Sequence, residues 1–293
     1  FGSSLPSTTS VTIPAIPWQS SAPMARWHSR WRVRACLYGS LALVTVSWFG
    51  SYVIWLLQGC QPVLPFVSDF AGGASSLLFG VCMSLAALAL LPTWFDHHFA
   101  MRPDIVGAGC CWRCLHILQP VLGIWCSLSI LGVAINPWYI RPGDHLASAT
   151  GIFYGGILFA LASSLLGWRR GYPFCCPCST VCLAIVSLGL MIHFSAVGSL
   201  EAGNNVFKRS MHLVEHDFHA YCTGKRRTLH AYSANNAAAL FEWLLLGCSA
   251  GLVFIRLHAD LRNWPRPPPP SLSSPLPPPP EASAPPANAL LEA

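Results

Sequence analysis

Six apolar stretches, each 21 to 23 residues long, recur along the chain. A helix needs about 20 apolar residues to cross the hydrocarbon core of a bilayer, so each stretch is long enough for one crossing. Charged residues make up only 10% of the chain, against about 25% in soluble domains. The sequence therefore predicts an all-α, polytopic membrane protein whose six transmembrane helices form a bundle. The predicted spans cover residues 35–57, 74–95, 115–135, 146–168, 180–200 and 237–257.

The distribution of basic residues predicts which ends of the spans face the cytosol, because cytosolic loops carry an excess of lysine and arginine. Of the 17 basic residues, eleven fall on the side that holds both termini. Five of the other six lie in one long loop, residues 201–235, between the fifth and sixth spans. We therefore expect both termini in the cytosol.

The two terminal segments differ from the apolar middle of the chain. Residues 1–34 are predicted to be a disordered cytosolic segment, and residues 263–293 a disordered, proline-rich cytosolic tail. The tail favours polyproline II, and Arg266 beside a proline run suits the groove of an SH3 or WW-type protein. The alternative is a low-complexity tail with no dedicated partner.

The cysteines fall into groups by their predicted side of the membrane. Six of them border the membrane on the predicted cytosolic side: Cys110, Cys111, Cys114, Cys175, Cys176 and Cys178. Cysteines at this position are candidates for palmitoylation. Inert thiols and a zinc site are the alternatives, although "CCPC" lacks the usual zinc-ligand spacing. Cys60 and Cys222 lie in outer loops, where an oxidising lumen would allow a disulfide between them.

The long loop at residues 201–235 contains a pattern typical of zinc peptidases. His212, Glu215 and His216 match the H-x-x-E-H arrangement of the inverted zinc enzymes. A loop of this length between two spans has no room for the domain that such a site needs, so we expect no metal centre. The pattern instead favours a solvated, amphipathic helix. Incidental metal binding and a histidine pH response are the alternatives.

Five polar residues lie at the predicted outer ends of the spans: Asp69, Asn136, His145, His193 and Glu242. Ionisable residues in a span are costly and usually face the bundle interior or a water-filled cavity. If these five residues converge, they form a candidate site for a lipid head group or a cation. In the alternative, each one caps a helix or reaches out to the interface.

The segment around Asp69 reads "QPVLPFVSDFAGG". In it, Pro65, Phe66, Ser68 and Asp69, with a valine between the phenylalanine and the serine, match a phrase of the damage-regulated autophagy modulator (DRAM) family. That phrase is Pro-aromatic-(Ile/Val)-Ser-Asp followed by glycine. Three further stretches resemble later family segments in the same order: "GVAINPW", "DHLASATGIFYGG" and "FEWLLLGCSAGLVFIRLHADL". Over residues 35–262 the chain thus resembles this family, which belongs to a wider group with the Sfk-type and Cwh/PGAP-type proteins.

The resemblance implies a non-enzymatic, six-helix membrane protein with no cofactor that acts as a regulator or scaffold in autophagy, lysosome function or phosphoinositide signalling. It implies an endolysosomal, Golgi, ER or plasma-membrane location, with membrane lipids as partners. Lipid handling in GPI-anchor remodelling, the activity of the Cwh/PGAP-type relatives, is the alternative. A small transporter is a third class, but the spans lack an obvious inverted repeat.

Motifs of soluble enzymes and of nucleic-acid binding give no competing prediction. The sequence contains no nucleophile elbow, P-loop or dinucleotide-binding glycine pattern. The net charge of +6 follows from the cytosolic excess of basic residues and from the long loop. We therefore expect no nucleic-acid partner.

Overall fold

The structure is a computed structural model and describes residues 23–60, 65–101, 109–171, 175–202, 205–224 and 229–262. All regular elements in this part of the chain are helical, which confirms the predicted fold class. The α-helices are α1 (Pro23–Thr45), α2 (Ser51–Leu57), α3 (Ser76–Met101), α4 (Cys110–Ile135), α5 (Pro142–Arg169), α6 (Cys175–Ala202), α7 (Asn205–His216), α8 (Phe218–Gly224) and α9 (Leu229–Arg262). A π-helical turn at Val46–Gly50 joins α1 to α2, and 3₁₀ turns at Val67–Ala71 and Gly73–Ser75 precede α3.

Six helical segments are long and apolar enough to cross a membrane, and each coincides with one predicted span. They are Arg30–Leu57, Gly73–Phe99, Cys110–Ile135, Pro142–Arg169, Cys178–Val197 and Ala234–Arg262. Most of them extend past the predicted bounds, because polar residues in the end turns remain helical although they lower the mean hydropathy. The chain is therefore a multi-pass membrane protein.

The start of α1 corrects the prediction for the N-terminal segment. Residues 23–34 are helical, whereas the sequence analysis assigned them to a disordered stretch. Tertiary contacts hold this part of the helix, because Val33 is fully buried and Arg32 binds Asp96 of α3 through two hydrogen bonds of 2.7 Å. The rest of that predicted segment, residues 1–22, and the proline-rich tail lie outside the described residues.

The helices of the bundle pack in neighbouring pairs, α1 on α3, α3 on α4, α4 on α5, and α6 on α9, with α5 also touching α6 and α9. Small residues allow some of these close approaches. A Cβ atom on Gly123 of α4 would lie 2.5 Å from the Trp94 ring of α3. Without an aqueous hydrophobic effect between helices, such close packing supplies much of the association energy.

A buried ionic network ties the helices together where α1 begins and α9 ends, which we call the terminal end of the bundle. His97 Nε2 on α3 lies 2.7 Å from Asp260 Oδ2 on α9. Arg170, directly after α5, donates to the other oxygen of the same carboxylate over 3.1 Å. Nearby, Gln119 of α4 donates to the Ser163 hydroxyl of α5 over 2.9 Å. Three helix ends thus converge on one carboxylate.

This network adds buried polar residues at the other end of the bundle, which the sequence analysis did not select. His97 and Asp260 lie two and three residues beyond the predicted spans 74–95 and 237–257, so the hydropathy criterion placed both in loops. In the structure the helices continue through them and bury them. An aspartate three residues after a predicted span, in a chain with only 11 acidic residues, was the sequence signal that could have revealed this site.

Replacement of Asp260 by asparagine should destabilise the bundle strongly. The change removes the charge that His97 and Arg170 share, and breaking a buried pair costs about 3–5 kcal/mol. Asp96→Asn is the matched control, because its partner Arg32 has a side chain that is 61% exposed and such pairs contribute about 0–1 kcal/mol. Thermal unfolding of both variants in detergent measures the difference. Equal shifts would contradict the proposed importance of the buried network.

Candidate functional site

We call the opposite end of the bundle, where α2, α3, α4 and α5 meet the connecting segments, the loop end. Its central feature is the 65–71 segment before α3, which contains the 3₁₀ turn Val67–Ala71 and carries the motif of the sequence analysis. Asp69 closes a turn on itself, because its Oδ2 accepts the Phe66 N–H over 3.1 Å while its own N–H donates to the Phe66 carbonyl over 2.9 Å. The aspartate thereby shapes the backbone of the motif.

Helix α9 binds the same segment through two successive residues. Glu242 Oε2 accepts the N–H of Val67 over 2.8 Å, and Trp243 Nε1 donates to the carbonyl of Pro65 over 2.9 Å. The Glu-Trp pair therefore holds two backbone groups that no regular helix could satisfy. Buried backbone groups need such partners.

Helix α8 covers the segment from the side of the long loop. The hydroxyl of Tyr221 donates to Asp69 Oδ1 over 2.8 Å. Burial, and secondarily the Asp69 carboxylate, raises the pKa of Tyr221 well above its ordinary value, so this side chain stays a neutral donor. Phe218 packs on Gly73, whose φ of +61° lies in the left-handed region that favours glycine. A Cβ atom there would lie 2.5 Å from the Phe218 ring.

A disulfide joins the loop after α2 to helix α8. Cys60 and Cys222, which are 162 residues apart in sequence, form the pair that the sequence analysis named as a candidate. Cys222 directly follows Tyr221, so the covalent link and the hydrogen bond to Asp69 fasten the same turn of α8. The sequence analysis missed Tyr221, although its position beside a candidate disulfide cysteine was an available signal.

His145 lies at the loop end, in the first turn of α5. Its Nδ1–H donates to the carbonyl of Asn136 at the end of α4 over 2.8 Å, which makes Nε2 the acceptor of the neutral ring. Asn136 in turn donates from Nδ2 to the Gly132 carbonyl over 3.0 Å and caps α4. Asp69 is close enough to His145 to act on it electrostatically.

Four of the five predicted polar residues therefore meet at the loop end, and the fifth does not. Asp69, His145 and Glu242 are 3%, 7% and 8% exposed, and Asn136 binds His145 directly. His193 lies on the exposed surface of α6, edge-on to Phe194. The helix-capping alternative also holds in part, because Asp69 and Asn136 each satisfy backbone groups of their own turns.

A cavity of about 160 Å³ extends from this polar cluster into the bundle. Its lining residues on α9 run from Glu242 to Phe254, a rise of about 18 Å at 1.5 Å per residue. Its polar end is formed by Ser68, His145 and Glu242, and most of the remaining wall is aliphatic or aromatic. Among the described residues that line it, none is lysine or arginine. The site is thus a largely apolar cavity with a hydrogen-bonding end.

The remaining predicted features lie away from this cavity. Cys110, Cys111 and Cys114 are exposed thiols in the first turns of α4, and Cys178 is a partly buried thiol on α6. The side chains of Cys175 and Cys176 lie outside the described residues, and palmitoylation stays a prediction. In the long loop, α7 is amphipathic, since Val214 is buried while His212, Glu215 and His216 are exposed.

No family model, curated protein or solved structure matches this chain. The fold and the site define only a class of protein. The chain is a multi-pass membrane protein, and its helical bundle contains a cavity with a polar end. The DRAM-type resemblance stays a prediction from sequence.

Loss of the Cys60–Cys222 disulfide should lower stability by about 2–4 kcal/mol, because the link restrains the unfolded chain. Cys60→Ala, Cys222→Ala and the double variant should show the same loss, since each removes one and the same bond. Cys182→Ala, an exposed thiol on α6, is the control. Thermal unfolding with and without reductant measures the effect, and a wild type insensitive to reductant would contradict it.

Tyr221→Phe should cost about 1.5–3 kcal/mol at neutral pH, the contribution of a hydrogen bond to a charged group. Because burial raises the pKa of Tyr221, its contribution is complete below the unfolded pKa of about 10 and decreases as pH rises beyond it. The stability difference between wild type and variant should therefore narrow above about pH 10. Tyr154→Phe, at an exposed tyrosine of α5, is the control, and a pH-independent difference would contradict the assignment.

Proposed function

We propose that this multi-pass membrane protein binds a membrane lipid in its central cavity and acts as a non-enzymatic regulator or scaffold of endomembranes or the plasma membrane. The observation that carries the lipid part is the cavity itself, apolar along about 18 Å of helix and polar at one end, at Ser68, His145 and Glu242. An amphipathic lipid has the same division between chain and head group.

The extent of the cavity lining along α9 favours an elongated, amphipathic ligand over a compact one. The hydrocarbon core of a bilayer is about 30 Å thick, so one leaflet, and one acyl chain, extends about 15 Å. The lining from Glu242 to Phe254 rises by a similar distance. Five of the membrane-crossing helices contribute to the wall, which is how bundles commonly build ligand sites between helices.

The roles of the polar residues support binding without catalysis. Asp69 holds the Phe66 N–H and the Tyr221 hydroxyl, and Glu242 holds the Val67 N–H. His145 is oriented by a backbone carbonyl and not by a carboxylate, unlike the base of a catalytic triad. These groups shape a head-group site. The DRAM-type resemblance of residues 65–69 adds autophagic and lysosomal membranes as the expected place of action.

Filling the cavity should remove a bound lipid. Ala149 of α5 and Ala250 of α9 line the wall, so the double variant Ala149→Phe/Ala250→Phe places two aromatic rings in the space that the chain of the lipid would occupy. Ala147→Phe makes the same change on the exposed surface of α5, two residues away. Mass spectrometry of lipids that copurify in mild detergent should show one species lost at least about tenfold in the double variant and retained in the control.

Equal lipid content in the three preparations would contradict lipid binding in the cavity. Thermal unfolding of each preparation checks that the double variant is folded, and Ser249→Leu, a smaller change in the same wall, replaces it if it is not. New acyl species formed by the purified protein from a GPI-anchored substrate, and lost in His145→Ala, would favour the remodelling alternative over the regulator.

A further inference from the structure

Three free thiols lie together at the start of α4, at the terminal end of the bundle. Cys110, Cys111 and Cys114 are all exposed, and the Sγ atoms of Cys110 and Cys114 are 4.0 Å apart. Successive residues of an α-helix are about 100° apart around its axis, so these three positions fall within an arc of about 100°. The thiols therefore share one face of the helix.

That face continues along α4 as the surface that the helix turns away from the bundle. The same arc carries large apolar side chains that are about half exposed, namely Leu118, Val121, Trp125 and Leu128. The buried side chains of the first turns, His116 and Gln119, lie on the opposite side of the helix. In a multi-pass membrane protein, an exposed apolar stripe on a crossing helix faces lipid. A hydrocarbon chain attached to these thiols would extend along this stripe and would not enter the bundle.

The thiols also lie at the depth of the membrane surface. The membrane-crossing part of α4, Cys110–Ile135, has 26 residues and is about 39 Å long. The hydrocarbon core of a bilayer is only about 30 Å thick, so about one turn at each end of α4 extends beyond it. Cys110 and Cys114 therefore lie at the boundary between head groups and hydrocarbon, where an attached chain can enter the bilayer directly.

Two observations support the predicted cytosolic side for this end. Basic side chains gather here, as is typical of cytosolic ends: Arg32 is near the start of α1, and the Arg169 guanidinium at the end of α5 lies 5.0 Å from the centre of the Trp112 ring. At the loop end Cys60 and Cys222 form a disulfide, as cysteines do in oxidising compartments, whereas the cysteines of α4 are free thiols.

The zinc site that the sequence analysis left as an alternative has less support at this cluster. Among the residues that the structure describes, no three His, Cys, Asp or Glu side chains are grouped so that they could hold a metal ion. The three thiols point outward from one helix, and a tetrahedral zinc site needs ligands that converge on one point.

We propose that Cys110, Cys111 and Cys114 form an S-acylation site, at which a membrane-bound acyltransferase attaches long acyl chains from acyl-CoA. A cysteine thiolate attacks the thioester carbonyl, the new cysteine sulfur–carbon bond forms, and the bond to the coenzyme A sulfur breaks. The coenzyme A thiolate takes up the proton that the cysteine lost, so the exchange needs no oxidant or reductant. Juxtamembrane cysteines are the usual acceptors of this reaction.

Thioester counting in the full chain, expressed in eukaryotic cells, tests the site. Free thiols are first blocked, thioesters are then cleaved with neutral hydroxylamine, and each newly freed thiol receives a polyethylene glycol–maleimide mass tag. We expect the wild type to carry up to three tags that depend on hydroxylamine. Cys110→Ala/Cys111→Ala/Cys114→Ala should lack them, and its exposed positions leave the packing of α4 unchanged, which thermal unfolding in detergent checks.

Cys248→Ala is the matched control, because it removes a partly buried thiol of α9 near the middle of its membrane-crossing part, Ala234–Arg262. This variant should carry as many tags as the wild type. Growth of the wild-type culture with an alkyne analogue of palmitate identifies the attached group independently, since the analogue should label the protein and hydroxylamine should remove the label.

Three results would overturn the assignment. A wild type without hydroxylamine-dependent tags carries no thioester. A triple variant with as many tags as the wild type is acylated at other cysteines. Tags that appear after treatment with reductant alone, without hydroxylamine, would show that the cluster forms a disulfide instead. None of these results affects the proposed lipid binding, because the three thiols do not line the cavity.

Discussion

The backbone of the 65–71 segment must find its hydrogen-bond partners inside the protein, and the loop end of the bundle depends on this requirement. The segment contains a 3₁₀ turn, and the buried backbone groups that this turn does not satisfy need side-chain partners. Asp69 accepts the Phe66 N–H, Glu242 accepts the Val67 N–H, and Trp243 donates to the Pro65 carbonyl. Because these partners fix the segment, its residues Val67 and Ser68 line the polar end of the cavity between the helices.

Both ends of the bundle are fastened by polar or covalent links, and the cavity lies between them. His97 and Arg170 meet Asp260 at the terminal end, and the Cys60–Cys222 disulfide closes the loop end. Between them the wall of the cavity is stabilised locally, as where Trp94 Nε1 donates to the Ser127 hydroxyl over 2.9 Å.

The success and failure of the individual predictions follow from how far each signal extends along the chain. The six spans are local signals, since about 20 apolar residues decide each one. The Cys60–Cys222 pair followed from the topology, which left few cysteines on the outer side. The sequence did not predict the helical start of α1, because Arg32 and Val33 are held by contacts with distant helices. His97 and Asp260 were assigned to loops for the same reason, as a hydropathy window cannot register a partner 163 residues away.

The sequence by itself determined that the chain crosses a membrane six times as helices, and it marked Asp69, Asn136, His145 and Glu242 as polar residues near the ends of spans. Hydrophobic length and the cost of burying charge are properties of single segments, so these conclusions need no knowledge of packing. Only the tertiary structure decided that these four residues converge, that His193 lies apart from them, and that a cavity opens beneath them. Convergence depends on which helices are neighbours and how they are rotated, and those are set by close packing between segments far apart in the chain.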